Sequence, residues 1–487
     1  MCPRLDDLPQ ELIDDILANL SVQDACNLRL VSRPLQWKAI HRSFRQSFRQ
    51  KRLEITQQNL ENFVAVTQTG RLGCLLQNLT LYGLLISYEA LSKAVMKNTR
   101  TRRHLSGFIQ LSCEEPLTPA ESFKAKSDLE YLSNLRSSNH EMVKSEKAVT
   151  LLAQAFKNIS ANAPLKRLPR LSLKIICIMD DPNLRYTPIT FSQMARHTPI
   201  WPTAAETFRV TMSALMESKL RVQDLTVFNS PDMDVCSLFG DQLGTLDFPK
   251  LKNLTSHLRI LSLSLVARDP YLSVCGGYGK SSQPTIEDSF AGLGTLVAHC
   301  TTLKVLDVHY FSVEYDRIHH TDHNPISITT LNSTELAERP SNQLELLVLA
   351  GLVIREHDLL EFLKRNRSQR LELDYIKLTE GSFRSILDFC SNPESGLTSL
   401  HLDSLFENTI IWFSESGARG SELDIDPFGN SLSRDGDDVW LPIDFHVYAS
   451  PILSFQMPCR PQLYMRYKIR RFGPLPNRGI ERMYPRP

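Results

Sequence analysis

Leu168-Pro169-Arg170-Leu171-Ser172-Leu173 carries the pattern on which the fold turns. Leucines stand at its first, fourth and sixth positions, and the last two alternate with polar residues, as on a strand with one buried face. The pattern returns at 76–81, 222–227, 258–263, 303–308, 344–349 and 397–402, with Val allowed at the first or last site, and at 368–373 with a polar first site. Start-to-start spacings run from 24 to 92 residues, so most units must carry insertions.

Outward from these cores, helical periodicity leads into most of them, at 146–159, 205–218, 288–300, 358–366 and 382–390. Phe383, Ile386, Leu387 and Cys390 show the spacing of one helix face. Two cores go on alternating, through Ile376 and Leu378 and through Phe311 and Val313. Helix–strand alternation predicts parallel strands in a layered α/β array. Units that cannot close a core alone stack into a solenoid. The array resembles the divergent leucine-rich-repeat regions that follow F-boxes in many fungal proteins. It departs from the regular repeat, which carries Asn or Cys three residues after the last core leucine. Here those sites are Leu84, Ile176, Ser230, Val266, Phe311, Leu352, Ile376 and Leu405. Polar, Pro-containing stretches at 112–127, 179–204, 267–287 and 314–342 read as insertions on one edge.

Composition agrees with a large packed core. Of 487 residues, 72 are leucine and only 20 glycine, and 42% are hydrophobic. A net charge of +1 argues against a protein built around a nucleic-acid or membrane field. No stretch has the run of apolar residues that a membrane helix needs. The ten cysteines are dispersed with no CxxC, which predicts reduced thiols in the cytoplasm or nucleus and no metal knuckle. The acidic, polar N-terminus has no apolar signal-peptide core.

The first fifty residues stand apart. Leu8, Leu12, Ile16 and Leu20 fall four apart with Ile13 and Leu17 beside them, which predicts a helix. Asp24 is placed to cap a second helix over Ala25, Leu28, Leu30 and Val31, ended by Ser32 and Pro34. Trp37, Ile40 and Phe44 predict a third, basic one. Acids crowd 1–24 and bases crowd 29–54.

The ordered series Leu8-Pro9-x-Glu11-Leu12, Ile16-Leu17-x-x-Leu20, Asp24, Leu28-Arg29-Leu30-Val31-Ser32-Arg33 resembles an F-box. A plain helical hairpin would share the periodicity but not this series. The resemblance implies binding to the adaptor subunit of an SCF (cullin–RING) ubiquitin ligase and, through it, to the cullin. Leu8, Pro9, Ile16, Leu17, Leu20, Leu28 and Val31 would form the adaptor face or the small core behind it. The departure is Pro34-Leu35 where many members carry an aromatic; Trp37 stands two residues on.

The implied organisation is α+β: an F-box at 1–50, a helical linker at 51–69, an irregular leucine-rich-repeat-like solenoid at 70–415, and an acidic, then basic, Pro-containing tail at 416–487. The implied function is recruitment of an unknown protein substrate to the ligase, without catalysis and without a cofactor. The alternative is a leucine-rich scaffold acting outside ubiquitination. In such an array, residues between core leucines face outward. That nominates Asp307, His309, Glu372, Asp374, His401 and Asp403 as a mostly acidic substrate strip.

Other chemistry is weaker. Gly276-Gly277-Tyr278-Gly279-Lys280-Ser281 ends like a phosphate loop, but Val274 stands where its first glycine belongs and Pro284 breaks the following helix. His319, His320 and His323 have loop composition and no fourth metal ligand nearby. Gly292-x-Gly294 lies in a helical stretch, not after a strand. The basic residues at 460–487, with Tyr464, Tyr467 and Phe472 among them, read as a solvated tail rather than an RNA-binding one.

Overall fold

A computed structural model describes residues 5–20, 22–38, 48–68, 75–106, 109–184, 200–230, 236–266, 291–311, 344–407, 411–413 and 430–447. The helical unit at the N-terminus comprises a 3-10 turn at Leu5–Asp7, α1 (Gln10–Ala18), α2 (Val22–Val31) and α3 (Arg33–Lys38). Asp24 sits inside the first turn of α2 rather than before it. The third helix starts earlier than Trp37, because Pro34 fits a first turn and the Ser32 hydroxyl accepts from the Leu35 amide at 3.2 Å. Ile13, Leu17 and Leu35 form the unit's core, with Leu8, Leu28 and Phe48 packed against it. Lys38 Nζ donates to the carbonyls of Asp6 at 2.7 Å and Leu8 at 2.8 Å, tying the end of α3 back to the start of the unit.

Gln50–Glu54 is not linker but β1, the first strand of the main sheet. Helix α4 (Gln57–Thr67), capped by Thr56, contributes Leu60 and Phe63 to the core. Then follow β2 (Asn78–Ser87), α5 (Glu89–Lys97), the antiparallel hairpin β3 (Thr99–Ser106) and β4 (Ile109–Pro116), α6 (Pro119–Lys144), α7 (Lys147–Asn162), β5 (Arg167–Met179), α8 (Ile200–Ser218), β6 (Arg221–Val227), β7 (Leu238–Phe239) and β8 (Ile260–Val266). The expected insertion at 112–127 is therefore the end of β4 and the start of α6. Thr118 and Glu121 close a reciprocal capping box there. The chain continues through α9 (Ala291–His299), β9 (Val305–Phe311), β10 (Leu344–Ala350), β11 (Val353–Ile354), α10 (Glu356–Arg365), β12 (Ser368–Asp374), β13 (Lys377–Leu378), α11 (Arg384–Cys390), β14 (Ser399–Asp403), β15 (Ile411–Phe413), β16 (Ser431–Asp435) and β17 (Phe445–Val447).

Eleven strands form one sheet in the order β1-β2-β5-β6-β8-β9-β10-β12-β14-β16, with β7 pairing β8 to one side. Every leucine core lies on a strand, and each such strand pairs parallel with the next core in the chain. Leu79, Leu171, Leu225, Leu261, Leu306, Leu347, Leu371 and Leu400 are in register and buried in one core with α4, α7, α8, α9, α10 and α11. On the opposite face, Tyr82, Leu84, Ile86, Ile176 and Ile178 pack on Leu132 of α6. The sheet's last strand, β16, runs antiparallel to β14, and β15 pairs with β17. The stretch from 416, expected as a tail, thus supplies two strands before Val447.

Several strands end on a left-handed residue: Asp180 after β5, Phe228 after β6, Gly351 after β10, Tyr375 after β12 and Ser404 after β14. A non-glycine residue there costs about 1–3 kcal/mol, so neighbouring structure must hold it. The amide of Gly351 donates to Asp374 O at 3.0 Å, that of Tyr375 to Asp403 O at 2.8 Å, and that of Ser404 to Asn430 O at 3.1 Å. Each corner swings the next residue, Leu352, Ile376 or Leu405, into the core. Apolar burial at a bonded corner thus stands where a regular repeat has its asparagine.

Candidate functional site

The residues singled out from the sequence lie on two surfaces, and the first is on the N-terminal helices. Of the residues singled out there, Leu17 is core, Leu8, Ile16 and Leu28 are half-buried, and Pro9, Leu20 and Val31 are exposed. Three further leucines are exposed: Leu5, Leu12 and Leu30. Ile13 and Leu17 point inward; Leu12, about 100° around α1 from Ile13, is exposed, and so is Leu20, which follows the C-cap Asn19. Leu30 and Val31 end α2 with 85% and 71% of their surfaces exposed. Four such residues on a unit of three short helices exceed what packing alone requires. The four residues spaced by four do not behave alike: Leu8 packs on the unit's core, Ile16 is half-buried, and Leu12 and Leu20 are exposed.

The second surface is the sheet face opposite the main helices. Register puts Asp307, Val348, Glu372, His401 and Ser433 in one row across β9, β10, β12, β14 and β16. The next row holds His309, Ala350, Asp374, Asp403 and Ser431. All six nominated residues therefore share a face, but they are not an open strip. Asp307, His309 and Asp403 are buried, and Glu372, Asp374 and His401 are half-buried. The reason at Asp307 is a polar network. Its Oδ2 accepts from Asn229 Nδ2 at 3.1 Å and from Ser262 Oγ at 2.9 Å, and its Oδ1 lies 3.8 Å from His309 Nε2. At the other end, Asn430 Nδ2 donates to Ser404 Oγ, which donates to Asp403.

Beside these rows the face carries charge. Arg170 pairs with Asp224 at 3.6 Å across β5 and β6. Burial nevertheless holds the Asp224 carboxyl above the ordinary range, with Arg170 and Arg259 opposing that rise. Leu346, Val348 and Val305 make a separate apolar cluster on this face, to which no described helix residue contributes.

Among the described residues, no three His, Cys, Asp or Glu side chains are grouped to hold a metal ion, and no helix is long and apolar enough to cross a membrane. Cys177, Cys300 and Cys390 are buried thiols, pushed by burial to about 12. The phosphate-loop-like stretch around Lys280, the histidines at 319, 320 and 323, and the basic residues at 460–487 lie outside the described residues.

Comparison with known families matches residues 5–36 to the F-box domain. The match spans α1, α2 and the first turn of α3. F-box domains bind the SCF adaptor, and the proteins that carry them generally act as receptor subunits rather than catalysts. No curated protein matches the chain.

Proposed function

We propose that this chain is a substrate-recruiting subunit of an SCF ubiquitin ligase, with the F-box docking on the adaptor and the leucine-rich sheet region holding the substrate. The observation that carries the reading is the coincidence of the F-box match with apolar side chains left in water at Leu12, Leu20, Leu30 and Val31. Hydrophobic burial drives most protein association, and these groups offer it without disturbing Ile13, Leu17 and Leu35. The sheet region acts as a divergent leucine-rich-repeat array, with its polar face turned to the substrate. Its work is positional: holding a substrate beside a charged ubiquitin carrier raises effective concentration. Ligation belongs to the enzyme at the cullin, and this chain supplies no catalytic group. Buried thiols suit a reducing compartment, the cytoplasm or nucleus.

Affinity purification of the full chain tests the reading. A receptor brings down adaptor and cullin together, and Leu12→Asp with Leu30→Asp loses both. Capture of neither by the parent chain refutes it, and capture of adaptor without cullin assigns the chain to scaffolding.

A further inference from the structure

Bases gather at one end of the strands. Arg167 and Arg221, opposite each other in register, open β5 and β6, and Arg259 and Lys304 stand just before β8 and β9. Beyond Glu345 on β10, Arg367 precedes β12 and Arg370 is its third residue. The far ends of the same strands are Met179, Val227, Val266, Phe311, Ala350 and Asp374, with no lysine or arginine among them. Because these strands run parallel, a bias within each adds up along one edge instead of cancelling. The backbone holds the edge in line. The amide of Arg259 donates to Gln223 O at 2.7 Å, that of Lys304 to Arg259 O at 2.8 Å and that of Glu345 to Lys304 O at 2.7 Å. Carboxylates here are few. Asp224 takes Arg170 and Glu345 takes Lys304. Arg221, Arg259, Arg367 and Arg370 are exposed, and their guanidiniums make no ion pair or hydrogen bond among the described residues. Glu345 answers for several of them: Lys304 first, then Arg370 and Arg259, hold its carboxyl below the ordinary range. Arg167 Nε is buried and has no acceptor.

We infer that this edge, from β5 to β12, docks an extended acidic segment of a partner protein. It uses no residue of the F-box helices, so the inference stands or falls apart from the ligase assignment. Exposed bases taken singly are ordinary surface; bases set in line on a rigid ladder make a directed field. From β5 to β12 is five strand spacings, about 24 Å, which an extended chain crosses in about seven residues. Charge selects the partner. Four unpaired guanidiniums are donors only, and each matches a carboxylate in a two-bonded fork. No aromatic residue stands among these bases, so the edge lacks the stacking platform on which single-stranded nucleic acid is held. The strip also has an end stop. β16 runs antiparallel to β14 and brings Asp435, followed by Asp437 and Asp438, to the starting end of β14. Like charge there repels an acidic segment and confines it to β5–β12.

The test uses the full chain and a fluorescein-labelled peptide of about ten residues in which Glu alternates with Ser, read by anisotropy. The parent chain should bind it, and added salt should weaken the binding, because exposed charges are screened beyond about 8–10 Å. Arg221→Gln, Arg259→Gln and Arg370→Gln together should cost at least about tenfold in affinity. The circular dichroism melt of that variant should match the parent's, since the side chains replaced are exposed and unpaired. A comparison variant neutralises as many exposed bases elsewhere, Lys93→Gln, Lys144→Gln and Lys157→Gln on α5, α6 and α7, and should bind within about twofold of the parent. Equal losses in the two variants would mean that net charge alone matters, and overturn the proposal. So would unchanged affinity in the arginine variant, or no binding by the parent at about 1 mM peptide. An oligonucleotide of the same charge, single-stranded or duplex, that binds more tightly than the peptide and is lost in the arginine variant would make nucleic acid the partner and overturn the proposal as well.

Discussion

Leu30→Ala is expected to weaken adaptor binding by about 30-fold and to leave the free protein as stable as before. Leu30 keeps 85% of its surface in water at the end of α2, so the folded chain derives little from its side chain. Burying a leucine fully contributes about 1.5–3 kcal/mol, and nearly all of that is still available to a partner. Truncation to alanine removes most of it, about 2 kcal/mol, and 1.4 kcal/mol is a factor of ten in Kd. Leu12, 49% exposed, has about half as much left to bury and should cost about fivefold. Ile13→Ala supplies the contrast. Ile13 is fully buried in the unit's own core, so its truncation should lower the stability of the helical unit by about 2–5 kcal/mol. Titration calorimetry against purified adaptor, with circular dichroism melts of each variant, separates the two effects. A Kd for Leu30→Ala within twofold of the parent, with an unchanged melt, would refute the assignment of this surface.

Asp307→Ala should destabilise the sheet by about 1–3 kcal/mol in denaturant unfolding, since it leaves the Ser262 hydroxyl without its acceptor and Asn229 Nδ2 with only Ser262 to donate to; Asp307→Asn should cost less. Gly83→Ala should cost about 1–3 kcal/mol in the same assay, because a Cβ there would fall 1.9 Å from Thr207 Oγ1 where α8 crosses β2. Cys177, Cys300 and Cys390, with thiols raised to about 12, should resist a thiol reagent at pH 8 in the native state and react once denaturant unfolds the chain; prompt native labelling would contradict their burial.

The repeating leucine pattern was a sound guide to the sheet because burial has the same period as the pleat. Leu171 and Leu173 could not both face a core unless 168–173 were extended. The pattern failed where something other than periodicity decides. β1 has only Leu53 as a leucine and is a strand through pairing with β2. β16 reads as Ser-Leu-Ser-Arg-Asp, and only the open edge of β14 makes it one. The corners at Phe228, Tyr375 and Ser404 carry no local signal, since none is a residue that favours the left-handed region; neighbouring carbonyls hold them there. On the helices, periodicity found the apolar residues of α1, but only three-dimensional packing separates the exposed Leu12 from the buried Ile13. On the polar face, alternation placed six residues correctly by side. It could not show that Asn229 and Ser262 close over Asp307, because those partners come from the turn after β6 and from β8.

The order of strands in the sheet follows the order of the chain, with a single reversal at the end. During synthesis, each new unit can therefore lay its strand on the edge left by the one before, and little of the chain has to wait for a distant partner. The same arrangement leaves the emerging protein with an unpaired parallel edge at every stage of translation. That edge is an adhesive one, ready to pair with any extended segment nearby. It is sheltered only when β16 turns back along β14 and Trp440 hands its indole N–H to the carbonyl of Leu397. A ribosome that stalled shortly before residue 431 would release a chain almost complete in mass yet lacking its one terminator. Such products should be among the first to aggregate or to be held by chaperones.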